Sequence, residues 1–174
     1  ELSRIANSLD KNKHNRKNKT NFSSSSAFTW DYSSLSLRPV KNFNSIYIEL
    51  LKGIDNQIET LLQNTESFSR GFQGNNVLLW GAKGTGKSSL VKSAFSKINQ
   101  KNKSLKLIEI NREDLVSLPQ LLLQLVNKNY RFIIFCDDLS FNEKDMSFKS
   151  LKTVLEGGIE GKPENVLFYA TSNR

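Results

Sequence analysis

Short apolar runs alternate with amphipathic segments along most of the chain. Four runs have the length typical of buried strands: Val77–Trp80, Leu105–Ile110, Phe132–Cys136 and Val166–Ala170. Apolar residues at helical spacing predict four helices: Ile54–Phe68, Lys87–Asn99, Asp114–Asn127 and Ser147–Glu156. Strands that alternate with helices in this way predict an α/β fold with a central parallel sheet wrapped by helices.

The first 27 residues do not follow this pattern. From Asp10 to Ser26 the chain is rich in Lys, Asn and Ser and contains one large apolar residue, Phe22. We therefore predict a basic, polar, disordered linker over residues 1–27 and a folded domain over residues 28–174. The same basic residues could bind a nucleic-acid backbone by releasing its counterions, so a solvated linker and a nucleic-acid arm both stay open.

Composition restricts the chemistry of the chain. It has 25 Lys/Arg against 17 Asp/Glu, a formal net charge of +8, and the excess lies mainly in residues 1–41. A single cysteine, Cys136, and a single histidine, His14, exclude a disulfide framework, a zinc cluster and Cys/His catalysis. No apolar run has the length of a membrane span or of a signal-peptide core, so we expect a cytoplasmic protein.

The segment after the first predicted strand, GAKGTGKSS, fits the phosphate-binding pattern G-x-x-x-x-G-K-[ST] at every fixed position. Glycines let backbone N–H groups approach phosphate oxygens, and the helix that follows presents its N-terminus to the anion. Lys87 is predicted to bind the β- and γ-phosphates of ATP, and Ser88 to bind Mg²⁺. The predicted nucleotide-binding residues of this loop are Gly81, Ala82, Lys83, Gly84, Thr85, Gly86, Lys87, Ser88 and Ser89. A glycine-rich turn before a helix is the structural alternative.

The strand in RFIIFCDDLSF ends in two adjacent carboxylates, Asp137 and Asp138. Two like charges repel, and a bound metal ion would relieve that repulsion. We predict that Asp137 holds Mg²⁺ and that Asp138 orients or deprotonates the attacking water. An exposed acidic turn at a strand end is the alternative interpretation of the same residues.

The last strand places a polar residue near the same site. One predicted strand, Leu105–Ile110, separates the phosphate-binding strand from the Asp137 strand, which indicates the P-loop division in which the next strand, Val166–Ala170, lies between those two in space. Its C-terminal end would then face the γ-phosphate. The amide of Asn173 offers both a donor and an acceptor, so we predict that it binds the γ-phosphate and the water together.

These segments resemble the AAA+ ATPases. WGAKGTGKSSL resembles their Walker A motif, FIIFCDDLS their Walker B motif and YATSNR their sensor 1 motif. More narrowly, NNVLLWGAKGTGKSSLVK, FCDDLSF and LKTVLEGGIEGKPENVLFYATSNR, with the lead-in LLKGIDNQ, are similar to a bacterial family of predicted AAA+ ATPases of unknown function. The resemblance covers Phe28 to Arg174.

This resemblance implies a three-layer P-loop NTPase domain that binds ATP and Mg²⁺, hydrolyses ATP and forms homo-oligomers, with an unassigned client. The segment before the P-loop resembles the one that packs on adenine, which implies contacts from Gly53 and Ile54. Asp138 stands where the superfamily usually has Glu. The fifth strand, the arginine finger and the helical lid of the superfamily would lie beyond Arg174, so we expect a fragment whose domain is incomplete at its C-terminus.

Three functions compete at this point. The first is an ATPase that drives conformational change on a client, and the second is a nucleic-acid-binding loader or scaffold that uses ATP mainly as a conformational ligand. A small-molecule kinase is disfavoured because FCDDLSF and ATSNR suit activation of water, and no acceptor-binding segment is evident.

Overall fold

The computed structural model describes residues 20–139, 149, 151–152, 155 and 162–173. Its centre is a sheet of six strands, β1 (Ala27–Asp31), β2 (Ser36–Pro39), β3 (Val77–Gly81), β4 (Leu105–Glu109), β5 (Arg131–Cys136) and β6 (Val166–Asn173). Their order across the sheet is β2-β1-β4-β5-β6-β3. Neighbouring strands are parallel except β1 and β2, which pair antiparallel.

Three α-helices accompany the sheet within the described residues: α1 (Asp55–Ser69), α2 (Lys87–Lys101) and α3 (Leu118–Leu125). The bounds of α1 and α2 agree with the predicted helices to within two residues. Short 3-10 helices, Ile48–Leu50 and Arg112–Ser117, precede α1 and α3. In the part of the chain that the structure covers, no helix combines the length and the apolar composition that crossing a bilayer requires.

The prediction of one helix over Asp114–Asn127 was wrong at both ends. Pro119 has no N–H with which to bond the Leu115 carbonyl, so the Leu118 N–H bonds that carbonyl instead and the chain forms a 3-10 turn there. At the other end, Val126 has a ψ of 141° and Asn127 a φ of 61°, which ends the helix. The predicted helix Ser147–Glu156 lies largely outside the described residues, of which 149, 151–152 and 155 are helical.

Side chains alternate across the sheet and form an apolar core on each face. On β5, Phe132, Ile134 and Cys136 pack with α3, whereas Ile133 and Phe135 pack with α1 and α2. Because both faces are covered, the strand is a continuous apolar run rather than an alternating one. Full burial of one such side chain contributes about 1.5–3 kcal/mol to the free energy of folding. The predicted three-layer α/β class is confirmed.

The strand β3 is less enclosed than the others. It lies at one end of the sheet order, next to β6. Val77 and Leu79 pack on the face covered by α1 and α2. On the opposite face Leu78 is 43% exposed and Trp80 is 75% exposed.

The folded unit begins earlier than residue 28. Within residues 20–26, which composition placed in the linker, Phe22 is buried against the sheet, whereas Asn21, Ser23 and Ser24 are exposed. The Phe22 ring lies edge-on to those of Phe28, at 5.4 Å between centroids, and Phe132, at 4.9 Å. The Lys106 ammonium donates to the Ser25 carbonyl at 2.9 Å, and burial lowers the pKa of Lys106. The linker prediction for residues 1–19 lies outside the described residues.

The position of β6 between β5 and β3 agrees with the predicted strand order. Its register sets Ala170 opposite Cys136 of β5 and Asn173 opposite Gly81 of β3. Since these strands are parallel, their carboxyl ends meet at one edge of the sheet. The P-loop, the two aspartates and Asn173 all follow or end strands at that edge.

A small polar cluster attaches α1 to β6. The Tyr169 hydroxyl lies 2.9 Å from both Thr65 Oγ1 and Asn64 Nδ2. Thr65 donates its own hydroxyl hydrogen to the Leu61 carbonyl at 2.7 Å, so Tyr169 is the donor to Thr65 and the acceptor from Asn64. Burial raises the pKa of Tyr169, which keeps the phenol protonated as this pattern requires.

We predict that Tyr169→Phe lowers the free energy of unfolding by about 1–2 kcal/mol, because it leaves the buried Thr65 hydroxyl without its donor. Urea denaturation followed by circular dichroism measures the loss. Tyr32→Phe removes a hydroxyl from a half-exposed tyrosine and is the matched control, with an expected change below about 0.5 kcal/mol. Equal midpoints for the two variants would show that the cluster contributes nothing.

Candidate functional site

Glycines shape the loop between β3 and α2. Gly84 and Gly86 have φ values of 81° and 82°, and Gly81 has 146°, a region that residues with a side chain rarely adopt. Gly86 directly precedes α2, and its carbonyl accepts the Leu90 N–H at 2.8 Å. The loop thus leads straight into the first turn of a 15-residue helix, whose leading N–H groups have no carbonyl partner within the helix.

Lys87, the first residue of α2, folds its side chain back over the loop. Its ammonium donates to the carbonyl of Gly81 at 3.0 Å and to that of Ala82 at 2.7 Å. The Thr85 hydroxyl also donates to the Ala82 carbonyl, at 2.9 Å. The ammonium is therefore held above the same backbone that the glycines bend. A cation and a helix N-terminus at one loop form a site suited to a polyphosphate.

Ser88 joins this loop to the end of β5. Its hydroxyl donates to Asp137 Oδ1 at 2.5 Å. The same oxygen accepts the hydroxyl of Thr171 and, at 3.2 Å, the N–H of Asp138. Among the described residues, every hydrogen bond to the Asp137 carboxylate thus ends on Oδ1, which leaves Oδ2 available to a ligand.

Asp138 and Asn173 form the second contact of the site. The Asn173 amide donates to Asp138 Oδ1 at 2.8 Å, and both residues are exposed. Asp138 has a φ of 54°, which is uncommon for a residue with a side chain. Its N–H is held by the Thr171 hydroxyl at 2.9 Å.

The oxygens of Ser88 and Asp137 fit a magnesium ion. Mg²⁺ prefers oxygen ligands in octahedral geometry and is commonly held by one or two protein oxygens, with substrate phosphates and water completing the shell. No group of three or more His, Cys, Asp and Glu side chains suited to a metal occurs among the described residues. The donor set therefore suits an ion that arrives with a nucleotide better than a closed structural metal centre.

Comparison with known proteins identifies the family of the chain. A model of the family described as "Protein of unknown function (DUF815)" matches residues 23–174. The chain belongs to this family. A search of curated proteins found no match.

Solved structures with a similar fold include the Aeropyrum pernix ORC2 protein in its ADPNP-ADP complexes. It aligns with the DUF815 chain at a TM-score of 0.53 and 14% identity, over 77% of this chain and 44% of that one. Rhizobiales Trip13 aligns at a TM-score of 0.52 and 12% identity, over 73% and 56%. The chain spans about half the length of these proteins. The likeness concerns the fold alone, and it agrees with the predicted α/β class.

Two predicted residues of the DUF815 chain, Gly53 and Ile54, precede α1. Gly53 has a φ of 76°, and Ile54 packs partly on the core beneath α2. Leu51 of this segment lies against the P-loop, because a Cβ placed on Gly86 would lie 3.3 Å from Leu51 Cδ2. The lead-in segment therefore touches the loop, while the role of Gly53 and Ile54 at adenine stays a prediction.

The structure brings together Ser88 with Asp137, and Asp138 with Asn173, from three separate segments of the chain. Of the remaining loop residues, Ala82 and Lys83 are exposed and Ser89 is partly buried. Sequence reasoning missed Thr171, whose hydroxyl contacts both aspartates. Only the strand register identifies Thr171 as a site residue: it sets Ala170 opposite Cys136, so that the next residue, Thr171, lies beside the aspartates.

Cys136 takes no part in this chemistry. Its side chain is fully buried, and burial together with the neighbouring Asp137 carboxylate raises the pKa of the thiol to about 12. Both effects disfavour the thiolate, which is the nucleophilic form of cysteine.

Proposed function

We propose that this domain binds Mg²⁺ and ATP and hydrolyses ATP, and that hydrolysis drives a conformational change on a client. The observation that carries the proposal is the 2.5 Å hydrogen bond between Ser88 of the P-loop helix and Asp137 at the end of β5. It places two oxygens suited to Mg²⁺ beside a loop suited to phosphates. As the AAA+ resemblance implies, we further propose that the protein acts as a homo-oligomer.

In this proposal the P-loop residues hold the triphosphate. The backbone N–H groups of the loop and of the first turn of α2 donate to phosphate oxygens, with the glycines permitting the close approach. The Lys87 ammonium, which contacts the Gly81 and Ala82 carbonyls in the structure, exchanges these neutral acceptors for charged phosphate oxygens. Mg²⁺, held by Ser88 and Asp137, would neutralise charge on the phosphates.

Asp138 is the proposed base and Asn173 its partner. A carboxylate at Asp138 accepts a proton from water, while the Asn173 amide, already bonded to Asp138 Oδ1 at 2.8 Å, holds that carboxylate in place. Asp is one methylene shorter than Glu, so the water must lie closer to the main chain of the turn after β5. The positive φ of Asp138 determines the direction in which this shorter side chain leaves the backbone.

We predict that Lys87→Ala weakens ATP binding by roughly 100-fold, because two charge-assisted contacts are lost. Isothermal titration calorimetry with ATP and Mg²⁺ measures the change. Lys101→Ala removes an exposed ammonium from the last residue of the same helix and is the matched control. If both variants bind ATP as the parent does, the P-loop is not the nucleotide site.

We predict that Asp138→Asn leaves the dissociation constant of Mg²⁺ and ATP within about twofold and lowers the hydrolysis rate by about 10²–10⁴-fold, the usual contribution of a general base. Single-turnover release of phosphate measures the rate in protein that contains this domain. Turnover equal to that of the parent would remove Asp138 from the mechanism.

A second candidate function, nucleic-acid binding coupled to ATP, is supported by charge at the other end of the strands. The cations near the amino ends of the parallel strands include Lys41, Arg70, Lys101, Lys103 and Lys128. None of these five residues belongs to an ion pair with a described residue. Lys41 and Lys103 line a cleft of about 620 Å³ together with Ser24, Ser25 and Ser26. Such a surface, continuous in sequence with the basic segment before residue 20, suits a phosphate backbone.

The test is the salt dependence of binding to a fluorescent single-stranded oligonucleotide. Reversal of Lys41, Lys101 and Lys103 to Glu should lower the slope of log K against log salt by roughly two, at about 0.7 per lost phosphate contact. Arg38→Glu, on the β1–β2 hairpin, is the control. This second function is contradicted if the parent shows no salt-dependent binding of the oligonucleotide. It is also contradicted if polyglutamate displaces the oligonucleotide fully and the triple variant and Arg38→Glu are affected equally.

A further inference from the structure

Thr171 connects the two aspartates of the site. It lies in β6, two residues before Asn173, and is 2% exposed. Its hydroxyl donates to Asp137 Oδ1 and accepts the N–H of Asp138 at 2.9 Å. Its carbonyl accepts the N–H of Leu139 at 2.7 Å. One residue thus binds three consecutive residues of the turn that follows β5.

Each hydrogen-bonding group of Thr171 has one defined role. A threonine hydroxyl has one hydrogen and two lone pairs. The Asp138 N–H can only donate, so it takes a lone pair, and the hydroxyl hydrogen is then directed to the Asp137 carboxylate, which can only accept when ionised. The hydroxyl therefore cannot rotate away without leaving a buried donor or acceptor unpaired, which is costly.

The contact orients Asp137 as well as restraining Asp138. Thr171 and Ser88 both donate to Oδ1 of Asp137, one from β6 and the other from α2. These two hydroxyl donors, with the Asp138 N–H as a third at 3.2 Å, restrict the rotation of the carboxylate and leave Oδ2 for a ligand. On Asp138 the same hydroxyl holds the N–H of a residue whose φ is 54°.

We propose that Thr171 is a positioning residue that holds the metal-binding carboxylate of Asp137 and the backbone of the base Asp138 in one fixed arrangement. The inference rests on the proposed function of this site. It assigns to Thr171 the coupling of Mg²⁺ affinity to the placement of the base, through its hydrogen bonds to Asp137 and Asp138. The hydroxyl supplies the function, and the methyl group of Thr171 supplies only packing.

Three variants test the hydroxyl. Thr171→Val keeps the shape and removes both hydrogen bonds, and Thr171→Ser keeps the hydroxyl and removes the methyl group. Ser172→Ala removes a buried hydroxyl from the next residue of β6 and is the control. Thermal unfolding identifies variants that fail to fold, and Thr171→Ala replaces Thr171→Val in that case.

The first readout is the gain in ATP affinity that Mg²⁺ produces, measured by calorimetry with Mg²⁺ and with EDTA. In EDTA we expect Thr171→Val to bind ATP with an affinity within about twofold of that of the parent. The increase in ATP affinity that Mg²⁺ produces should be about tenfold smaller in Thr171→Val than in the parent, which corresponds to the loss of one charge-assisted hydrogen bond. Thr171→Ser and Ser172→Ala should keep the gain within about threefold. An undiminished gain in Thr171→Val, or equal losses in the Ser and Val variants, overturns the proposal.

The second readout needs no nucleotide. Hydrogen exchange followed by NMR should show faster exchange of the Asp138 amide in Thr171→Val and parent-like exchange in Thr171→Ser. The Thr171 hydroxyl is the nearer of the two acceptors of that N–H, at 2.9 Å against 3.2 Å for Asp137 Oδ1. Unchanged exchange in Thr171→Val overturns the proposal whatever the ATPase result. If instead the parent shows no Mg²⁺-dependent ATP binding and Lys87→Ala changes nothing, the proposed function fails, and the exchange experiment still decides whether Thr171 restrains Asp138.

Discussion

The parallel pairing of β6 with β5 on one side and β3 on the other is the interaction on which the candidate site depends. The register sets Ala170 beside Cys136 and Asn173 beside Gly81, so β6 extends further towards the site than β5 does. The turn that follows Cys136 therefore meets the last residues of β6 rather than solvent alone. A shift of one residue would turn the hydroxyl of Thr171 to the opposite face of the sheet and separate it from both aspartates.

The two adjacent aspartates are tolerated because neutral donors surround them. Within the described residues no ion pair includes Asp137 or Asp138, although two carboxylates in sequence suggest that a cation should lie nearby. Both are exposed to water, which screens their repulsion, and each accepts a hydrogen bond from a hydroxyl or an amide. Lys87, the candidate cation of the P-loop, donates instead to carbonyl oxygens.

Much of the fold followed from the pattern of apolar residues. The strand β5, which is buried on both faces, and the helix α2, which buries one face, were predicted to within two residues because period and length decide them. Local exceptions were not predicted: Pro119 converts the start of one helix into a 3-10 turn, and Phe22 enters the core from a segment whose composition is that of a linker. In the site, motif spacing identified Ser88 and Asp137, whereas Leu51 and Thr171 are near it only through tertiary packing and strand register.

The two tryptophans lie in contrasting environments, which gives the domain an optical property. Trp30 is 2% exposed, with its indole N–H donating to the Ser117 hydroxyl at 2.7 Å, whereas Trp80 is 75% exposed and directly precedes Gly81. A buried indole emits at shorter wavelength than a hydrated one, so the intrinsic fluorescence is the sum of two separable spectra. The red component originates next to the phosphate-binding loop, and the blue component reports on the β1–β2 hairpin at the opposite end of the sheet order. The protein thus carries its own pair of reporters, one at the site and one in the core.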